Sequence, residues 1–219
     1  MAAAVMAVAL SAPGIARSQP APVMVGDLVH GVNGSNPDRL ASANGRLVFG
    51  PGLGFSDGTP AGTEWPAGCA GGVASAPVEA GGLVYFADSG ASRPYRTDGT
   101  CAGTYQLAND TLIWVRTNPG PGPFAAVGPH VFFFGSQGLW RTDGTPEGTM
   151  LLRTFSAAEG QPLFAAAGQT RLYFETDAAD GTATLWTSDG TPQGTRPVTP
   201  FVDGANGVWA TRWPTNFAA

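Results

Sequence analysis

The apolar positions of this chain fall in short runs with no helical stripe. Leu47-Val48-Phe49, Leu83-Val84-Tyr85-Phe86, Val131-Phe132-Phe133-Phe134 and Leu172-Tyr173-Phe174 are rich in β-branched and aromatic residues, the signature of strands. Ala-rich segments ending in Gly precede two of them, Phe124-Ala125-Ala126-Val127-Gly128 and Phe164-Ala165-Ala166-Ala167-Gly168. Apolar pairs follow, Leu139-Trp140 and Leu185-Trp186, with Pro94-Tyr95 and Leu53-Gly54 as weaker versions, and a fourth run is clearest at Met150-Leu151-Leu152. The pattern predicts four short strands per unit, and frequent Gly and Pro exclude a stack of helices. Consecutive apolar residues, where a sheet with one wet face would alternate, predict strands covered on both faces.

Four segments share one gapless turn, D-G-T-x-x-G-T: Asp57-Gly58-Thr59, Asp98-Gly99-Thr100, Asp143-Gly144-Thr145 and Asp189-Gly190-Thr191, each followed by a second Gly-Thr. The aspartates are spaced by 41, 45 and 46 residues, within the range of propeller blades. A blade between two neighbours has both faces covered, so the fold class expected is an all-β propeller of four-stranded antiparallel blades. The Asp carboxylate is expected to accept backbone N–H bonds from the residues that follow, Gly supplies a positive φ, and the Thr hydroxyl adds a local bond. The second Gly is expected to relieve another awkward backbone position. A repeated Ca²⁺ site is the sharper alternative, but one carboxylate per turn is thin against six to eight oxygens, so no metal is expected.

Leu139-Trp140-Arg141-Thr142-Asp143-Gly144-Thr145 and Leu185-Trp186-Thr187-Ser188-Asp189-Gly190-Thr191 resemble the units of the bacterial ELWxxDGT repeat proteins. Gly138 and Thr184 stand where that motif has Glu, and Phe55 and Tyr95 stand only roughly for its Trp in the first two units. The resemblance spans about residues 22–219. It implies an exported, propeller-like surface protein and carries over no catalytic residues.

Both ends of the chain fit this frame. Ala2 to Leu10 is apolar and Gly14-Ile15-Ala16 offers small residues to a signal peptidase, although the first basic residue, Arg17, comes late. Residues 1–21 are therefore expected to be an export signal. Residues 22–219 are expected to form one repeat domain: a closing strand at about 22–30, blades at 38–66, 75–115, 122–155 and 162–201, and the start of another blade at 214–219. On that reading the ring is incomplete, with four blades plus a partial fifth. Closure would take about two to four more blades, and the open edge strand is prone to associate.

All 11 basic residues are Arg against 16 Asp and Glu, so no basic stripe for nucleic acid is present. No stretch approaches a transmembrane span. There is no Gly-rich phosphate loop and no metal-ligand spacing, and no cofactor is expected. The connections opposite the D-G-T turns vary from unit to unit, which is the form of a binding face. Its candidate residues are Asp88, Asp110, Trp114, Asp177, Asp180, Asp203, Trp209 and Trp213, suited to an extracellular glycan or protein partner. The expected function is thus a secreted or cell-surface binding or scaffold module of the bacterial envelope. The rival is a glycosidase, which needs two carboxylates about 5 to 9.5 Å apart, with Asp177 and Asp180 as the nearest pair. Two cysteines in an exported chain suggest Cys69–Cys101. Topology disfavours it, because a five-residue strand would hold them ~17 Å apart where Cα atoms must approach within about 7 Å. Only a folding-back of the Gly-rich loop 66–77 would bridge them.

Overall fold

Asn44-Gly45, with φ of 47° and 79°, reverses the chain between β1 (Asp38–Ala43) and β2 (Arg46–Gly50), the residue pair that a two-residue hairpin turn favours. That hairpin and β3 (Gly54–Ser56) form unit 1. Unit 2 is β4 (Val78–Ala80), β5 (Leu83–Ala87), β6 (Pro94–Thr97) and β7 (Tyr105–Gln106). After β8 (Arg116–Asn118), unit 3 contains β9 (Phe124–Val127), β10 (His130–Gly135), β11 (Gly138–Thr142) and β12 (Met150–Arg153). Unit 4 contains β13 (Gln161–Ala167), β14 (Leu172–Asp177), β15 (Ala183–Ser188) and β16 (Arg196–Pro197). The computed structural model describes residues 38–118 and 122–198. Over these the chain is all-β, without helix, and the sheets do not form a closed barrel. No helix among the described residues is long and apolar enough to cross a membrane.

The sheets stack face to face, and their second strands show how. Val84 and Phe86 of β5 pack with Val48 and Phe55 of unit 1, while Tyr85 and Ala87, on the other face of the same strand, pack with Phe124, Val131 and Phe133 of unit 3. Phe132 and Phe134 of β10 turn the opposite way, onto Leu172, Phe174 and Trp186 of unit 4. Burial of each such side chain is worth about 1.5–3 kcal/mol, so the inner sheets are glued on both sides. First strands lie next to first strands, β1 beside β4, β4 beside β9 and β9 beside β13.

Three features depart from expectation. First, the sheets are three-, four-, four- and five-stranded. In unit 1 the fourth strand shrinks to a single bridge, Phe55 with Glu64. In unit 4 a fifth strand is added: β8, from the long connection between units 2 and 3, pairs in parallel with β13 through Arg116 opposite Phe164. Backbone edges attract any extended segment within reach, and no apolar run announced this one. Second, Cys69 and Cys101 are disulfide-bonded, with Cα atoms 5.2 Å apart. The loop 66–77 does fold back, with Gly68 and Gly72 at φ 85° and 124°, and the reduced fourth strand of unit 1 no longer holds the two cysteines at opposite ends. Third, φ at the second Gly of each turn is not in the left-handed region, and its role is a different one, described below. The expected export signal 1–21, the closing strand at 22–30, the segment 214–219, and Asp203, Trp209 and Trp213 lie outside the described residues.

Candidate functional site

The D-G-T turns share one hydrogen-bond network. Oδ1 of Asp57, Asp98, Asp143 and Asp189 accepts the backbone N–H of the Thr two residues on, at 2.9–3.0 Å, and its hydroxyl at 2.7 Å. That hydroxyl in turn accepts the N–H of the second Gly, Gly62, Gly103, Gly148 or Gly194. The final Thr of each motif donates to the carbonyl of the first Thr and bonds the hydroxyl of the residue before the Asp, as in Thr149 with Thr145 and Thr142. Those preceding residues, Ser56, Thr97, Thr142 and Ser188, are buried and accept the N–H of the first Gly. The first Gly has φ between 87° and 92°, a conformation costly for other residues. A side chain at the second Gly would overlap the Asp carboxylate, which lies against its Cα in all four copies. The need is for space and not for conformational freedom. The Thr hydroxyl, and then the Thr N–H, hold the carboxyls of Asp57, Asp143 and Asp189 below their ordinary value of 3.8.

Three of the four turns also dock on the sheet before them. A Cβ at Gly99 would lie 3.1 Å from the Ala43 carbonyl and from Cβ of Arg46, at Gly144 2.8 Å from the Tyr85 hydroxyl, and at Gly190 3.1 Å from the His130 ring. Tyr105 donates its hydroxyl to the Gly144 carbonyl at 2.7 Å, held from below by the Arg96 guanidinium, 4.1 Å from its ring centroid. Burial, and then the Arg141 charge, push the His130 pKa below its ordinary 6.5. The imidazole bonds Arg141 at 2.8 Å, so it serves the junction between units 3 and 4.

At the opposite end every loop has its own solution. Asp88 is buried and accepts the N–H groups of Gly90, Ala91 and Arg93. Asp110 is 3% exposed. It reaches from the connection after unit 2 onto the β10–β11 turn of unit 3, accepting from Thr111 N–H, Ser136 hydroxyl, Gln137 N–H and Trp140 Nε1–H at 2.6–3.2 Å. Glu159 caps its own turn through the Ser156 N–H and hydroxyl and pairs with Arg153. The Ser156 N–H and the Arg153 hydrogen bond hold its carboxyl below 4.5. An open groove of about 500 Å³ runs along Leu151–Thr154 and Glu159. Asp88 and Asp110 are thus spent inside the protein, which the spacing of isolated aspartates does not reveal.

The remaining candidates stay outside. Trp114 is 54% exposed, Asp177 ends β14 on the surface, and Asp180 accepts the Thr182 N–H in the β14–β15 turn. That bond holds the Asp180 carboxyl below 3.8. Glu175, two residues before Asp177 on the same face of β14, was not singled out in the sequence; burial, and then the Asp177 charge, raise its pKa above 4.5. Among the described residues no cluster of His, Cys, Asp and Glu suits a metal ion. No protein-family model matches the chain, and no curated protein does.

Proposed function

We propose that this chain is a run of propeller blades, exported to the bacterial surface or beyond, whose variable loop end binds an extracellular glycan or protein without turning it over. The observation that carries the reading is the division between the ends of the sheets: one turn network repeated four times at one, unlike loops at the other. Constant scaffold with variable loops is how binding faces are made. The blade reading is supported by sheets covered on both faces and first strands set side by side, as propellers require. The likeness to ELWxxDGT repeat proteins supports the same reading. Export is supported by the Cys69–Cys101 bridge, since such bonds persist in oxidising compartments.

With Asp88 and Asp110 committed to internal bonds, the surface that remains is Trp114, Asp177 and Asp180, an exposed indole and two carboxylates suited to stacking on a sugar or meeting a cationic group. Screening the purified chain on glycan and extracellular-protein arrays is expected to return saturable binding that Trp114→Ala weakens about tenfold. No saturable binding on either array would overturn the reading. Glycan turnover lost on Asp177→Asn would favour the glycosidase.

A further inference from the structure

Among the described residues the junction between successive sheets occurs three times, and each half of it is left over once. On the face toward the preceding unit, Val84, Val131 and Leu172 occupy one register position, opposite Thr97, Thr142 and Ser188, and are 0–1% exposed. Leu47, opposite Ser56, is their counterpart in unit 1 and is 40% exposed. On the face toward the following unit, Val48, Tyr85 and Phe132 are 1–2% exposed, whereas their counterpart in unit 4, Tyr173, is 40% exposed. The turns tell the same story. Gly99, Gly144 and Gly190 are buried on the preceding sheet, but Gly58 is exposed, and nothing among the described residues lies within 4 Å of a Cβ placed there.

Among the described residues the series therefore ends in a knob without a seat and a seat without a knob. Charge does not set this pattern: Arg46 lies beside Gly99 and Arg141 with His130 beside Gly190, but Leu83 and Tyr85 line the seat of Gly144. Arg171 before β14 pairs with Asp189 at 3.8 Å, and Glu175 and Asp177 share the face of Tyr173. We infer that the chain associates head to tail with a second copy of itself: the Asp57–Thr63 turn and the Leu40 and Leu47 face of one copy seat on the Arg171 and Tyr173 face of the next, continuing the three interfaces inside each copy. Such a contact is heterologous and leaves one free end at each side of the pair, so it closes a ring or grows a filament. It rests on the packing of sheet on sheet and not on what the loops bind.

The test is sedimentation velocity of the 219-residue chain across a concentration series, with Tyr173→Glu and Leu47→Glu as variants. Both side chains are exposed, and a circular-dichroism melt verifies that each variant keeps its fold. The wild type is expected to assemble with concentration, and each variant to weaken assembly at least about tenfold. An equimolar mixture of the two variants is expected to form a dimer and stop, because each retains one intact end. A wild type that stays monomeric overturns the proposal, as does assembly that survives both substitutions, which would assign it to strand edges. A variant mixture that stays monomeric overturns the head-to-tail geometry.

Discussion

At the D-G-T end, one network holds four turns, with Thr hydroxyl to Asp Oδ1 at 2.7 Å in every copy. At the opposite end, Asp88, Asp110 and Glu159 hold three loops by three different sets of donors. Both ends are held by side-chain hydrogen bonds, so their presence does not distinguish the two. The difference is that one arrangement serves all four D-G-T turns, three of which, at Gly99, Gly144 and Gly190, also seat on the preceding sheet. At the other end each acid has its own donors and, of Asp88, Asp110 and Glu159, it is Asp110 that reaches the next unit's turn. A turn that closes and also seats has two duties, which leaves no room for variation. A loop with one duty is free to be re-drawn, which is what a binding surface requires.

Four tests would break or sharpen this contrast. The largest effect is expected at Asp110, whose removal orphans four donors around a buried site. Asp110→Ala should cost about 3 kcal/mol in urea unfolding, while Asp180→Ala, in an exposed turn, should leave the midpoint almost unchanged. Equal costs would mean that burial does not separate structural from surface acids on this side. Next come Gly144→Ala and Gly58→Ala, which share a φ near 90° but differ in docking. The strain alone should cost about 1 kcal/mol at Gly58. Overlap with Leu83 and Tyr85 should add about 1–2 kcal/mol more at Gly144, and matching losses would disprove the second duty of the turn.

Smaller still is the acid limb of the stability curve. Because Asp143 and Asp189 titrate below 3.8 in the folded chain, the stability they add is full above that value and is lost as pH falls through their folded pKa. Asp143→Asn with Asp189→Asn should flatten the pH dependence of the unfolding free energy there by at most a few tenths of a kcal/mol per site, since both are exposed to screening. The smallest effect belongs to Glu175, between the two ends. Its pKa is raised above 4.5, so its charge opposes folding at neutral pH and not below 4.5. Glu175→Gln should therefore raise the unfolding free energy at pH 7 by about a few tenths of a kcal/mol, with no gain in acid.

Much of this architecture was legible in the residues. The runs at 47–49, 83–86, 131–134 and 172–174 became β2, β5, β10 and β14, because burial on both faces leaves an unmistakable continuous pattern. The turn was legible for a similar reason, since Asp-Gly followed by Thr encodes its bonds within a few positions. What escaped detection depends on distant parts of the chain. Asp110 reads like any loop aspartate until Trp140, thirty residues on, points its indole N–H at it. The Gly62 side of the turn looked like a matter of φ because steric contact with Asp57 has no local signature. The disulfide failed for lack of a measure of unit 1's truncated fourth strand, and β8 carries no hydrophobic run at all.

That added strand bears on how the chain reaches its fold. In most repeat arrays each unit touches only its neighbours, so folding can begin anywhere and spread unit by unit. Here β8 precedes unit 3 in the chain yet completes the sheet of unit 4 through its ladder with β13. The segment cannot find its partner until unit 3 has been made and placed between them. Closing that long loop before its contacts reward it slows folding, and afterwards units 3 and 4 open together or not at all. Hydrogen exchange should therefore report them as one cooperative block.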